Sequence, residues 1–433
     1  MKLYKYPTRD CWPEIGARPL QDSRKLIPAV TEILSAVQKK GDAALRDFSK
    51  KFDGVALTSI AVTPAEIKEA AARLTPQLKA ALKQAKKNIE TFHRSQKESR
   101  QKIAPMDGIA CWRESRPIEK VGLYIPGGSA PLFSTVLMLG LPARIAGCKE
   151  VVLCTPCNKE QQVHPAILYA ASLCGINQIF KIGGAQAIAA MAYGTETVPQ
   201  VFKIFGPGNQ YVTTAKQLVQ NQVAIDMPAG PSEVLVIADQ TADPDFVAAD
   251  LLAQAEHGPD SQVICITTQA GMVKKIEKAV TAQLKNLPRK DIAARALEHS
   301  RMVVVKDLKE AVQLSNFYAP EHLILACKVT GKLLNEITAA GSVFIGNHSP
   351  ESVGDYASGT NHTLPTNGYA AAYSGVSLDS FCKKITFQQL TAKGLKNIAA
   401  TVTTMAEAEG LQAHSNAVKL RIGNPLSAIR NQQ

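Results

Sequence analysis

From about residue 119 onward, short apolar runs alternate with longer segments rich in small residues. Val121-Gly-Leu-Tyr-Ile125, Glu150 to Leu153, Gln178 to Ile182 and Phe202 to Phe205 have the length and content of short buried strands. The stretches Pro165 to Cys174, Ala185 to Tyr193 and Gln210 to Gln220 read as helices between and after them. A second alternation follows, with strands at Glu233–Ala238, Gln262–Thr267 and Arg301–Val305 and helices at Asp245–Glu256 and Met272–Leu287. Strand and helix in turn predict parallel, doubly wound sheets. Roughly the first 110 residues read as helix-rich. Leu26 to Gly41 has helical periodicity, and Thr63-Pro-Ala-Glu66 looks like an N-cap followed by proline and a carboxylate. The chain from 376 to the end reads as polar helices with no sheet of their own. Such a tail buries little by itself, so it is expected to pack on something else, such as another subunit.

At 433 residues the chain predicts two or three domains. A hydrophobic share of 45% with 20% charged residues can bury a sizeable core, which excludes a disordered chain. The most apolar stretch, Val121 to Ala146, is broken by Gly127, Gly128, Pro131 and Pro142 and carries Arg144, so no membrane span is expected. No basic segment followed by an apolar run opens the protein, and a cytoplasmic location is expected. Nine scattered cysteines argue against a disulfide framework. Cys154-Thr-Pro-Cys157 follows a strand and precedes a loop rather than opening a helix, so free thiols are the better reading than a redox pair. The net charge of +12 reflects lysines and arginines spaced as the wet face of a helix between Lys79 and Lys102. No aromatic-interleaved basic run accompanies them, so no nucleic-acid partner is expected.

Three glycine turns leave predicted strands: Tyr124-Ile-Pro-Gly-Gly128, Lys181-Ile-Gly-Gly-Ala-Gln186 and Ile204-Phe-Gly-Pro-Gly-Asn209. Glycine there lets backbone N–H groups approach a phosphate at a helix start, and ligands of doubly wound sheets bind at the carboxyl strand ends. The third turn has Tyr211 where the last glycine of the dinucleotide fingerprint belongs, so no one turn is decisive. Gln254 and His257, three apart at a helix end that Gly258-Pro259 terminates, are metal-ligand candidates. Asp355, His414, His348 and His362 are chemically equal candidates to complete the set, and a mixed N/O set fits zinc, manganese or cobalt. In Tyr318-Ala-Pro-Glu321-His322, Pro320 ends a helix and leaves two titratable groups adjacent, in a non-helical stretch or at a new helix start. They suit a proton acceptor and a water activator, or merely a helix-dipole carboxylate beside an unrelated histidine.

Several long segments then occur in a telling order. Gly122-Leu-Tyr-Ile-Pro-Gly-Gly-Ser, Gly183-Gly-Ala-Gln-Ala-Ile-Ala-Ala, Phe205-Gly-Pro-Gly-Asn and Ile225-Asp-Met-Pro-Ala-Gly-Pro-Ser-Glu233 come first. Ala253-Gln-Ala-Glu-His-Gly-Pro-Asp260, Ala319-Pro-Glu-His-Leu323, Gly354-Asp-Tyr356, Gly359-Thr-Asn-His-Thr-Leu-Pro365 and Glu407-Ala-Glu-Gly-Leu-Gln-Ala-His414 follow. The series closely resembles the histidinol dehydrogenase family. The resemblance implies zinc ligands at Gln254, His257, Asp355 and His414, and a proton-transfer pair at Glu321 and His322. It implies NAD contacts at Tyr124, Gln186 and Asn209. Substrate contacts are implied at Ser232, Glu409, His322 and the metal ligands. It further implies oxidation of L-histidinol through the aldehyde to L-histidine with two NAD reduced, one Zn2+ per subunit, and a homodimer with shared active sites.

With the element pattern, the resemblance implies an α/β fold of two Rossmann-like doubly wound domains with small helical N- and C-terminal extensions. Residues 1–20 would form an N-terminal arm, and 21–118 plus 235–375 a first domain. Residues 119–234 would form a second, NAD-contacting domain, and 376–433 a helical tail packing on the partner subunit. The rival chemistries are an aldehyde dehydrogenase using Cys148 or Cys111 as nucleophile, a relative acting on a different amino or sulfonated alcohol, and a zinc hydrolase with Glu321 as base.

Overall fold

A computed structural model describes residues 1–19, 25–127, 131–228 and 230–423. Gly128 and Ser129 of the first glycine turn, Ala229, the expected end of the N-terminal arm at residue 20 and the tail from 424 onward lie outside them.

Among the described residues fourteen strands form three sheets. In chain order they are β1 (Lys2–Lys5), β2 (Lys102–Met106), β3 (Ile109–Pro117), β4 (Lys120–Tyr124), β5 (Glu150–Cys154), β6 (Gln178–Phe180) and β7 (Lys203–Phe205). Then come β8 (Ala224–Ile225), β9 (Glu233–Ala238), β10 (Gln262–Thr267), β11 (Arg301–Val304), β12 (His322–Ala326), β13 (Ser342–Ile345) and β14 (Cys382–Leu390). The chain divides into two compact units. One comprises 1–96 and 118–381, the other 97–117 with the chain from 382 onward.

The first unit holds two wholly parallel sheets. One is five-stranded, in the order β6-β5-β4-β7-β8, and the other six-stranded, in the order β1-β11-β10-β9-β12-β13. Parallel strands need helical crossovers that cover both faces, and alternate residues then feed two separate cores. In the five-stranded sheet Val152, Cys154, Phe180 and Ile204 pack with the helices Ile27–Lys40, Gly184–Tyr193 and Gln210–Leu218. The opposite residues Leu123, Leu153, Ile179 and Phe205 pack with Pro76–Ser95, Phe133–Ala146 and Pro165–Cys174. The six-stranded sheet repeats the scheme, with Val234, Val263 and Met302 on one face and Leu235, Ile264 and Val303 on the other.

This packing regroups the expected domains. The helices between 27 and 95 cover the five-stranded sheet, not the six-stranded one, because their apolar faces match the β4–β7 core. The N-terminal segment is no free arm: β1 pairs in parallel with β11 at the sheet edge. The capping box at Thr63 and Glu66 forms as expected, each side chain meeting the other's backbone.

The second unit departs most from expectation. Here β14, β3 and β2 make an antiparallel sheet, where the sequence pattern predicts a helical tail without strands and places 102–117 in a helix-rich region. The strand Cys382-Lys-Lys-Ile-Thr-Phe-Gln-Gln-Leu390 has too few apolar residues to stand out, and its ladder with Ile109–Pro117 comes from far along the chain. The helices Ala392–Ala408 and Gln412–Arg421 follow and pack on each other. Among the described residues no helix is long and apolar enough to cross a membrane.

Candidate active site

In the five-stranded sheet the chain winds outward from β4, first through β5 and β6 to one side, then through β7 and β8 to the other. The loops after β4 and β7 therefore part at the carboxyl edge, where doubly wound sheets leave a crevice. A cavity of about 510 Å³ opens there, between Tyr124 and Gly127 after β4, Gly184 and Gln186 after β6, and Asn209 after β7. The backbone N–H of Gly184 donates to Tyr124 Oη (3.0 Å), which leaves the phenolic proton for a ligand. Burial pushes that phenol up to about 12, so it stays neutral. Gln186 is buried in the first turn of the helix Gly184–Tyr193. Asn209 caps the helix Gln210–Leu218 by accepting the N–H groups of Tyr211 (3.0 Å) and Val212 (3.2 Å). Two helix N-termini thus meet one cavity, a polarity that suits a phosphate-bearing ligand. Asp53 is the only charged residue lining it among the described residues.

A second constellation gathers at the amino edge of the six-stranded sheet. The helix Leu308–Tyr318 ends on Ala319 in the left-handed conformation (φ +51°), and the chain reverses through Pro320 into β12. His322 is therefore the first residue of a strand, which settles the choice left open between a non-helical stretch and a new helix start. Glu321 Oε2 accepts the backbone N–H of Glu233 (2.9 Å), the first residue of the neighbouring β9. His322 Nδ1 lies 3.2 Å from the Glu233 carbonyl oxygen, which can only accept, so Nδ1 carries a proton. Nε2 points at Asp355 Oδ1 (3.5 Å), and neither atom has a hydrogen-bond partner.

Glu351 completes the group. It lies 3.7 Å from His322 Nδ1 and sits one helical turn before Asp355 in the helix Glu351–Tyr356, so both carboxylates share a face. One ligand atom each from His257, Glu351 and Asp355 lies within 4.8 Å of the others, which makes them a candidate cation site. Gln254, buried on the helix Pro244–Ala255, satisfies both ends of its amide by donating to Glu351 and accepting from the Glu233 N–H (3.0 Å). His257 comes just past that helix, beyond its cap Glu256, and is exposed.

Burial dominates the electrostatics here. It pushes Glu321 and Glu351 up to about 8 and Asp250, one turn before Gln254, up to about 7. Burial also lowers His257, and it disfavours a charged His322, but the carboxylates of Glu351, Glu321 and Asp355 outweigh it and raise His322 well above its ordinary value. Asp355 is lowered because the neighbouring histidines overcome its burial. Crowded carboxylates with orphaned buried ligand atoms fit a divalent cation.

The structure thus brings together Gln254, His257, Glu321, His322 and Asp355, and separately Tyr124, Gln186 and Asn209. Ser232 immediately precedes β9, its carbonyl accepting the N–H of Gln262 (3.2 Å). Glu409 and His414 belong to the second unit, on either side of the turn at Gly410, with both side chains exposed. His362 is no member of the ligand group. Its Nδ1 donates to the Asp355 carbonyl (2.8 Å) and its Nε2 meets Thr135 Oγ1 (3.0 Å). His348 instead packs beside the ring of Phe246. Glu351, Glu233 and Asp250 were missed by sequence reading. The i, i+4 spacing of Glu351 and Asp355 was the one signal available.

The other thiol readings fare as their surroundings dictate. Burial pushes Cys154 far up and raises the half-buried Cys157, which is the opposite of an activated redox pair. Cys148 lines a different cleft, beside Arg144 and Lys149, with none of the residues of either constellation. Cys111 lies in β3, in the second unit.

The histidinol dehydrogenase family model matches residues 17–422. The chain belongs to the histidinol dehydrogenase family. It is 57% identical over 423 residues to the histidinol dehydrogenase of Bacteroides fragilis (strain YCH46), covering 98% of this chain and 99% of that one. It is 54% identical to the histidinol dehydrogenase of Yersinia pestis, covering 96% and 95%. The crystal structure of histidinol dehydrogenase from Elizabethkingia anophelis superposes with a TM-score of 0.96 at 55% identity, covering 100% of this chain and 99% of that one. The α/β fold with parallel sheets is therefore that of the family.

Proposed function

We propose that the protein oxidises L-histidinol to L-histidine in two steps, with NAD as hydride acceptor and one Zn2+ per subunit. The observation that carries this reading is the Glu321–His322 pair, buried at a strand start against a cation-binding group, in a member of this family. In the first step His322 Nε2 takes the proton of the substrate hydroxyl while hydride leaves the same carbon for NAD, giving the aldehyde, NADH and a proton. In the second, Glu321 removes a proton from the water that adds to the aldehyde, and the hydrate loses hydride to a second NAD. Burial raises the Glu321 carboxyl to about 8, so its ionised form is a stronger base toward water than an ordinary carboxylate.

Zinc would be held by Gln254, His257, Asp355 and His414, with Glu351 beside them. When bound it would anchor the substrate's imidazole and amine and, by neutralising nearby carboxylate charge, bring His322 back toward a neutral pKa. Tyr124, Gln186 and Asn209 would hold NAD at the glycine turns, where the neutral phenol and two helix starts offer donors. Ser232 and Glu409 would contact the substrate. Glu409 and His414 are exposed and make no side-chain hydrogen bond among the described residues, which suits side chains that complete a partner's site in a homodimer. The helices from Ala392 to Arg421 would be the segment that docks.

The test is the product ratio. Purified protein given zinc, L-histidinol and NAD should form NADH and histidine at two to one. No NADH above background would sink the dehydrogenase reading and favour a metal hydrolase.

A further inference from the structure

The turn Gly206-Pro-Gly-Asn209 ends in one of the groups assigned to NAD, but its anchors lie behind it. Asp226, the residue after β8, accepts the N–H of Gly206 on Oδ2 (2.8 Å) and that of Met227 on Oδ1 (2.8 Å). Lys216, on the helix Gln210–Leu218, forms an ion pair with Asp226 and donates to the Gly206 carbonyl (3.0 Å). Both backbone groups of Gly206 therefore end on one ion pair, whose side chains are 6% and 2% exposed.

Stability alone does not call for such a pair, because two charges lose their hydration on burial and an apolar pair of similar size often does as well. What the pair does supply is direction. Gly206 has a φ of +126°, and a Cβ there would stand 2.1 Å from the Tyr124 carbonyl oxygen, so this turn packs directly against the β4 turn. The Tyr124 hydroxyl in turn accepts the N–H of Gly184 from the turn after β6. A small shift of Gly206 would be passed to all three loops that line the cavity.

We propose that the buried Lys216–Asp226 pair positions the β7 turn for the dinucleotide, so that Asn209 and the helix start behind it meet the ligand in register with Tyr124. The inference rests on the reading of the cavity as the NAD site. Neither side chain lines the cavity, so both are positioning residues.

Asp226→Asn keeps size and one acceptor oxygen, and Lys216→Met keeps the aliphatic stem. Either should raise the KM for NAD about ten- to a hundredfold. The KM for L-histidinol, the kcat at saturating NAD and the bound metal should stay as in the unmutated enzyme, the signature of lost cofactor binding alone. An unchanged KM for NAD would overturn the proposal. So would a fall in kcat together with a rise in both KM values, since the pair would then merely hold the fold. Should a single variant leave a lone buried charge and fail to fold, the double variant Asp226→Asn/Lys216→Met is measured against the same criteria. Failure of the double variant to fold would also overturn the proposal. Absence of NADH from the unmutated enzyme is a separate result, seen before any variant is compared, and refutes the NAD reading itself.

Discussion

The two parallel sheets of the first unit are wound alike, yet they gather chemistry at opposite ends. Each starts on a central strand, β4 or β9, adds two strands to one side and then two to the other; β1 merely extends the edge beyond β11. In the five-stranded sheet Tyr124, Gln186 and Asn209 collect at the carboxyl strand ends. In the six-stranded sheet Glu233 and His322 are the first residues of their strands, and Gln254 and His257 arrive at the end of a helix that returns to the same edge. Helix N-termini crowd the first edge with N–H groups and helix C-termini bring carbonyls to the second, so one end favours anions and the other cations. One winding thus offers sites of both signs. The segment from Asp226 to Glu233, whose seven peptide steps reach at most about 25 Å, joins the two edges directly.

His322→Asn is the strongest way to break this comparison. It should cost about 10²- to 10⁴-fold in kcat while metal content and the KM for NAD stay put. A matching rise in the KM for NAD would mean that the two edges do not act separately, and loss of metal would mean that His322 is a ligand.

Asp250→Asn probes the same edge through stability. Its native pKa of about 7 lies above that of an unfolded aspartate, so the native state binds the proton more tightly. The resulting stabilisation is complete below about pH 4 and is lost as pH rises to about 7. In metal-free protein the variant should therefore gain on the unmutated chain across that window, by at most about 4 kcal/mol. Urea unfolding at acid and alkaline pH would show it, and a pH-independent difference would exclude Asp250 as the source.

Asn209→Ala works at the other edge. It should raise the KM for NAD about tenfold through a lost hydrogen-bonding amide, with kcat at saturating NAD and metal content intact. Smallest of all, Cys148→Ser and Cys111→Ser should leave steady-state rates unchanged. A large loss in either would revive the thiohemiacetal chemistry.

Much of this was legible in the chain because parallel strands buried on both faces are continuous apolar runs. Glu233–Ala238 and Gln262–Thr267 were delimited to the residue. The antiparallel strands were not, since Lys102-Ile-Ala-Pro-Met106 is exposed throughout and β14 mixes exposed with half-buried residues and buries none fully. Order along the chain pointed to Gln254, His257, Asp355 and the Glu321–His322 pair, but geometry was needed to add Glu351. A glutamate at a helix start ordinarily reads as a dipole partner. Asp226 was likewise hidden, because its partner Lys216 is a helix lysine that reads as solvated until the fold buries it.

The ladder between β3 and β14 also has a consequence in time. Pro117 leaves the ribosome about 265 residues before its partner Cys382, an interval of a few tens of seconds at ~5–20 residues per second. During that interval β3 has β2 on one side and an open row of backbone donors and acceptors on the other, the kind of edge that invites pairing with other chains. Both parallel sheets can meanwhile receive every one of their strands, since the last of them, β13, ends at Ile345. A chain that stops short of Cys382 thus holds eleven parallel strands and one antiparallel edge still waiting for its partner.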